Sequence, residues 1–219
     1  MGGRWIRDVR YQEGIELANE FMPEDLDIVT YVPETPRPAA EAYARSMKKR
    51  FGLRSSPFQE LFYKMRPKDR SFMEGEQYRR EKNIGENLYI KDNVRIKGKN
   101  LLVLDDTIVR GTNIPLAVRY LRDRGAAKVY VAVLTPPIGG KCKGEDIGCL
   151  YGVDMPPGDD FAISKYGSVE GIARAIKLEA LHYLSKDGMI RGIGIPEENL
   201  CTYCIGGEDP IKAYKEMLK

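Results

Sequence analysis

The sequence of 219 residues holds one histidine, one tryptophan and four cysteines. A reaction built on a histidine base has only His182 to draw on. That residue sits in LEALHYLS among apolar neighbours, where a packed structural histidine is expected. The cysteines, Cys142, Cys149, Cys201 and Cys204, all fall in the last third of the chain, and in a reducing cytoplasm free thiols are the default. No apolar run approaches the roughly eighteen residues of a membrane span. The start, MGGRWIRDVR, has charges with no apolar segment behind them, so neither a signal peptide nor an anchor is read there and the expected compartment is the cytoplasm. Charge of one sign is lacking too. The 35 basic and 32 acidic residues leave a net +3, too balanced for a protein that coats nucleic acid. There is no internal repeat and no low-complexity tract.

What is present is a globular composition, 42% hydrophobic and 31% charged, long enough to bury a core without disulfide staples. No linker separates the tail, so residues 1–219 read as one domain with a C-terminal subregion from about residue 160 to 219. Residues 10–22 read as an amphipathic helix on which Ile15, Ala18, Phe21 and Met22 share a face. LDIVTYV (26–32) reads as a buried strand. Pro38 opens a helix carrying Ala39, Tyr43, Ala44, Met47 and Phe51 at helical spacing, and Gly52 ends it. FQELFYKM (58–65) reads as a further strand. Residues 64–82 hold seven basic against four acidic side chains with Pro67 and Gly75 among them, the pattern of a flexible basic loop followed by a short helix. NLLVLDD (100–106) is a strand, residues 107–113 a loop, and Ile114, Ala117, Val118 and Leu121 mark a helix closed by Gly125. KVYVAVLTPP (128–137) is another strand. Residues 138–160 are rich in Gly, Pro and Asp and read as irregular, and Ser168 caps a helix running to Ile176. Strands alternating with helices predict an α/β fold, a mostly parallel sheet flanked by helices.

The sharpest chemical signal is LLVLDDTIVRGT (101–112). An apolar strand delivers Asp105 and Asp106 to the carboxyl edge of a parallel sheet, where ligands bind in open α/β folds. Thr107, Gly111 and Thr112 are small or hydroxylated, so the loop can wrap N–H groups and hydroxyls around a phosphate next to a helix N-terminus. Two acids beside a phosphate cradle suit a sugar phosphate. By itself a strand ending in Asp-Asp also suits a metal site or a solvated turn, and the following TIVRGT is what makes the signal specific.

That stretch resembles the phosphoribosyl pyrophosphate (PRPP) signature of type I phosphoribosyltransferases, which implies their fold, with a flexible loop and a small C-terminal region. The resemblance widens to one family, the amidophosphoribosyltransferases. TYVPETPRPAA (30–40) resembles their pyrophosphate loop and RSFMEGEQYRRE (70–81) their flexible loop. YGVDMP (151–156) resembles a segment just past the PRPP site, and GSVEGIARAI and CTYCIGGEDP resemble their tail. The resemblance implies displacement of pyrophosphate from PRPP by ammonia, giving 5-phosphoribosylamine, the first step of purine synthesis. It assigns catalysis to Asp105, Asp106 and Lys64. It assigns PRPP binding to Glu34, Thr35, Arg66, Arg70, Arg79, Arg80, Thr107, Ile108, Val109, Arg110, Gly111 and Thr112. Mg²⁺ is expected at Asp105 and Asp106, through water or ribose. Such a reaction is chiefly positioning and charge stabilisation, so scarcity of histidine is no obstacle. A homo-oligomer is expected, with no nucleic-acid or membrane partner.

The sequence departs from the family at two places. Full-length members begin with a glutaminase domain whose nucleophile is an N-terminal cysteine. Here Met1 is followed by Gly2 and no cysteine precedes Cys142, so the glutaminase half is expected to be absent and ammonia to come from elsewhere, a separate glutaminase subunit being one source. Lys64-Met65-Arg66 is followed by Pro67, where the family often has tyrosine. Cys201-x-x-Cys204 has metal-ligand spacing, which Cys142 and Cys149 can complete. Spacing leaves [4Fe–4S], Zn²⁺, disulfides and inert thiols open. Some family members bind a [4Fe–4S] cluster, and Cys149, Cys201 and Cys204 fall at positions resembling three of its ligands, with Cys142 as a replacement for the fourth. The competing readings are a purine or pyrimidine salvage phosphoribosyltransferase, which needs an aromatic base pocket, and a non-catalytic PRPP sensor, which needs a DNA-binding element not seen here.

Overall fold

The computed structural model describes residues 3–64, 88–142, 144–149, 151–152 and 155–211, with the side chain of Cys142 excepted. At its centre lies a four-stranded parallel sheet. Its strands are β1 (Ile28–Tyr31), β4 (Asn100–Asp105), β5 (Lys128–Val133) and β8 (Ala180–Tyr183), in the order β1-β4-β5-β8. Two short antiparallel pairs stand outside it: β2 (Phe62–Lys64) with β3 (Leu88–Ile90), and β6 (Lys141–Cys142) with β7 (Glu145–Asp146). The helices are α1 (Ile6–Glu20), α2 (Arg37–Phe51), α3 (Asn113–Asp123), α4 (Ala162–Tyr166), α5 (Val169–Ile176) and α6 (Lys186–Ile193). No helix among the described residues is long and apolar enough to cross a membrane.

The sequence of β4 explains the layering. Leu101 and Val103 enter one apolar cluster with residues of α3 and α5, and Leu102 and Leu104 enter a second with residues of α1, α2 and α6. All four are fully buried. A continuous apolar strand is what a sheet covered on both faces requires, and each such side chain contributes about 1.5–3 kcal/mol. Helix ends follow their local chemistry. Gly52 closes α2 in the left-handed region, and Ser168 and Ser185 accept from the N–H groups of Gly171 and Gly188.

Several expected boundaries move. The first helix begins at Ile6, and its buried face is Val9, Glu13, Gly14, Leu17 and Ala18, not the face through Ile15. Gly14 sets this choice, since a Cβ there would lie 2.3 Å from the Ala39 carbonyl oxygen; α1 and α2 meet backbone to backbone. The run 58–65 yields a strand only at Phe62–Lys64, with Phe58 making an isolated bridge to Val29. The strand from 128 stops at Val133, ahead of Pro136 and Pro137. Ala180–Tyr183 is a strand that the sequence reading left out. His182 within it stacks on Phe21, centroids 5.0 Å apart, with Nε2 3.4 Å from Glu20 Oε2, a packed structural histidine as expected.

Candidate active site

Strand β4 ends at the carboxyl edge of the sheet, between β1 and β5. Asp105 is buried there, 7% exposed. The N–H of Asp106 donates to Asp105 Oδ1 at 2.9 Å and the N–H of Thr107 donates to Asp106 Oδ1 at 3.0 Å. The loop that follows is anchored at three points. Ile108 is buried in the core, the Val109 carbonyl accepts from the Ala162 N–H at 2.6 Å, and Arg110 pairs with Asp160. Gly111 takes φ +72°, and Thr112 precedes α3 without spending its side chain on a cap. The result is an open curl of backbone leading into a helix N-terminus.

A cavity of about 350 Å³ occupies this edge. It is lined by Thr35 from the loop after β1, Lys64 from the end of β2, Asp105 and Asp106 from the end of β4, and every residue from Thr107 to Thr112. Residues from three strands, separated by up to seventy-seven positions, thus meet at one place. Val32, Pro33, Pro36, Asn113, Ile114 and Met155 complete the wall; the sequence reading missed them. Met155 arrives because Cys149 and Met155 exchange backbone hydrogen bonds at 2.8 and 3.0 Å. The likeness of YGVDMP to a segment beside the PRPP site was the available signal, but it could not say which side chain reached in. Glu34 is exposed and lies apart, in a neighbouring depression with Arg7, Arg10, Arg37 and Glu41, and Thr35 borders both. Arg66, Arg70, Arg79 and Arg80 fall outside the described residues.

The electrostatics suit a cationic ligand or transition state. Burial first, then the adjacent Asp106 carboxylate, push Asp105 well above the usual carboxylate range, and Lys64 opposes this. A positive charge entering the cavity would favour the ionised form. Thr107 Oγ1 is buried without a hydrogen-bond partner, a donor and acceptor that a ligand oxygen would satisfy.

The described cysteines gather elsewhere. Cys149, Cys201 and Cys204 line one cavity of about 360 Å³ with Gly148, Tyr151, Gly152 and Tyr203. Burial first, then Cys149 and Cys201, push the Cys204 thiol up, the mutual opposition of sulfurs that a bound cation relieves. Among the described residues, however, no group of three His, Cys, Asp or Glu side chains forms a ready ligand set.

No protein-family model matches the chain. Curated relatives and solved structures do. An amidophosphoribosyltransferase of Mycobacterium bovis is 31% identical over 220 residues, covering 99% of this chain and 39% of that protein. Its counterpart in Synechococcus elongatus is 32% identical over 215 residues, covering 98% of this chain and 40% of that protein. The solved structure of glutamine PRPP amidotransferase from B. subtilis, complexed with ADP and GMP, is 32% identical with a TM-score of 0.73, covering 93% of this chain and 42% of that one. The chain therefore spans about two fifths of the length of these relatives.

Proposed function

We propose, from the premise that this chain is a homologue of the phosphoribosyltransferase part of amidophosphoribosyltransferases and has their type I phosphoribosyltransferase fold, that it transfers the phosphoribosyl group of PRPP to ammonia. The C1–oxygen bond to pyrophosphate breaks, the electron pair leaves with pyrophosphate, the nitrogen lone pair forms the new bond to C1, and a proton is lost from nitrogen to give 5-phosphoribosylamine. The observation that carries this reading is the single cavity that collects Thr35, Lys64, Asp105, Asp106 and the loop 107–112.

In that cavity the N–H groups of residues 107–112, with the Thr107 and Thr112 hydroxyls, receive the 5-phosphate. Asp105 and Asp106 accept from the ribose hydroxyls and stabilise positive charge as it develops on the ring. Lys64 and the segment around Thr35 and Glu34 attend the pyrophosphate, with Arg66, Arg70, Arg79 and Arg80 assigned to the same anion by their sequence resemblance. A buried acid whose ionisation calls for a nearby cation, beside a second acid, fits a hard divalent ion. Mg²⁺ bound there would offset the charge of the departing pyrophosphate. Residues 1–219 form one transferase unit that self-associates, with ammonia taken from solution or supplied by a glutaminase. The test is pyrophosphate release from PRPP with ammonium, compared with PRPP and free purine or pyrimidine bases. Release with ammonium alone supports the reading; release only with a base makes the chain a salvage enzyme; none with either refutes transfer.

The second element is a structural metal centre at Cys149, Cys201 and Cys204, with Cys142 as fourth ligand. Three cysteines on one cavity support it, and the family resemblance favours [4Fe–4S] over Zn²⁺. Its role is to hold the C-terminal tail against the segment that carries Met155.

A further inference from the structure

Arg110 borders the cavity at the sheet edge, and an arginine on a phosphate-binding loop has an obvious partner in the phosphate. In the structure its side chain is engaged elsewhere. Arg110 Nε pairs with a carboxylate oxygen of Asp160, fifty positions further on. Asp160 is not among the residues that line the cavity, so the pair ties the arginine to a residue outside the ligand space. The residues after Asp160 reinforce this connection. The Ala162 N–H donates to the Val109 carbonyl at 2.6 Å. Ala162 is buried in the same apolar cluster as Ile108, and its Cβ lies 3.8 Å from the position a Cβ on Gly111 would take. A three-residue segment, 160–162, thus lies against three consecutive residues of the loop, 109–111.

A tether positions a loop only if its far end is fixed. Phe161, between the two contacting residues, is fully buried. Its ring lies so close to Gly139 that a Cβ there would fall 1.9 Å from Cδ2. The Phe161 carbonyl accepts from the Lys165 N–H of α4 at 2.8 Å. Asp160 therefore projects from a firm point. The Arg110 and Asp160 side chains are 52% and 57% exposed, and an ion pair so exposed contributes little to overall stability. Its effect is confined to what it holds. We propose that Asp160 is a positioning residue: it holds Arg110, and with it keeps the N–H groups of the loop 107–112 in line for a phosphate. Arg110 then acts through this tether and not as a direct ligand. The consequence for catalysis rests on the reading of the cavity as the PRPP site.

Asp160→Ala and Arg110→Ala each remove one exposed partner and leave Phe161 and Ala162 in place. Two readouts are taken on the full chain. One, without substrate, is hydrogen exchange at the Ala162 N–H, with the Gly167 N–H at the far end of α4 as reference. The other is KM and kcat for PRPP with ammonium, determined separately. The expected result in both variants is faster exchange at Ala162 with Gly167 unmoved, and a melting temperature close to the parent's. KM should rise about two- to fivefold, the range an exposed pair allows, with a smaller change in kcat. The double variant should be no worse than either single one. Unmoved exchange at Ala162 overturns the proposal. So does a lowered KM in Asp160→Ala, the signature of an arginine released onto the phosphate. A rise in KM for Arg110→Ala far beyond that for Asp160→Ala overturns it too, since Arg110 would then be a direct ligand. If the parent protein releases no pyrophosphate from PRPP, the proposed function is what fails, while Ala162 exchange still decides the tether.

Discussion

The main-chain N–H of Asp106 donates to the Asp105 carboxylate at 2.9 Å, so the first of two adjacent acids is held by the backbone of the second. Their positions differ, Asp105 being buried and Asp106 half-buried. Asp105→Asn and Asp106→Asn are each expected to lower kcat/KM for PRPP by about 10²-fold or more, since both remove charge that the transition state needs. Stability should separate them. The pKa of Asp105 is raised on folding, so its contribution to stability is present below the unfolded value and lost as pH rises through the folded one. Above the unfolded value the acid therefore costs stability, and the neutral isostere, which can still accept from the Asp106 N–H, should raise the melting temperature. Thermal melts at pH 7.5 and pyrophosphate release check both halves; near-parental turnover in both variants would sink the assignment.

A second acid predicts a pH dependence away from the cavity. Glu13 on α1 is buried and lies over Gly192 of α6. Burial raises it to about 7, against an opposing pull from Arg10. The shift is upward, so the associated stability is complete below about 4.5 and is lost as pH rises toward about 7. Glu13→Gln should remove that slope and stabilise the protein at pH 8 by roughly 1–3 kcal/mol. Melts of both proteins across pH 5–8 that stay parallel would refute it.

How far the sequence could be read follows from which signals are local. Leu101 to Asp105 announced a strand because both faces of it are buried, and the acids at its end announced the edge of a sheet. The loop 107–112 was legible because small, hydroxylated and glycine positions carry their own backbone logic. Ala180–Tyr183 was not legible: its four residues include a histidine that is satisfied by Phe21 and Glu20, 161 and 162 positions away, and only β5 beside it makes it a strand. The α1 face was misplaced for a similar reason. Gly14 looks like a weak helix residue, and only the Ala39 backbone explains it. Met155 reaches the site through its backbone pairing with Cys149, which no periodicity records.

The loop glycine gives a prediction that separates conformation from packing. A Cβ on Gly111 would meet Ile108 Cγ2 at 3.6 Å and Ala162 Cβ at 3.8 Å, ordinary contacts, but the residue sits at φ +72°. The cost of Gly111→Ala is thus the left-handed backbone, about 1–2 kcal/mol, and a loop that relaxes to relieve it loses its N–H alignment. KM for PRPP should rise more than kcat falls, with a modest drop in melting temperature. By contrast, a Cβ on Gly139 would lie 1.9 Å from Phe161 Cδ2, so Gly139→Ala should destabilise severely. Equal effects of the two variants on stability would contradict this division.

The thiol cavity gives the last prediction. Cys201 and Cys204 lie on the tail, and the backbone of Cys149 makes the bonds that hold Met155 at the sheet-edge cavity. A metal held by these thiols with Cys142 would pin the tail to that segment without touching the loop 107–112. Anaerobically purified protein should contain about four irons with broad visible absorption, or about one zinc. Cys201→Ser should lose that metal and lower the melting temperature far more than it alters KM for PRPP. Whatever change in KM does occur should be matched by Met155→Ala, because the Cys149–Met155 pairing is the route by which the tail reaches the cavity. Metal-free protein with four titratable thiols under native conditions would overturn the centre. Metal-free protein with fewer thiols would instead point to oxidised pairs among these cysteines.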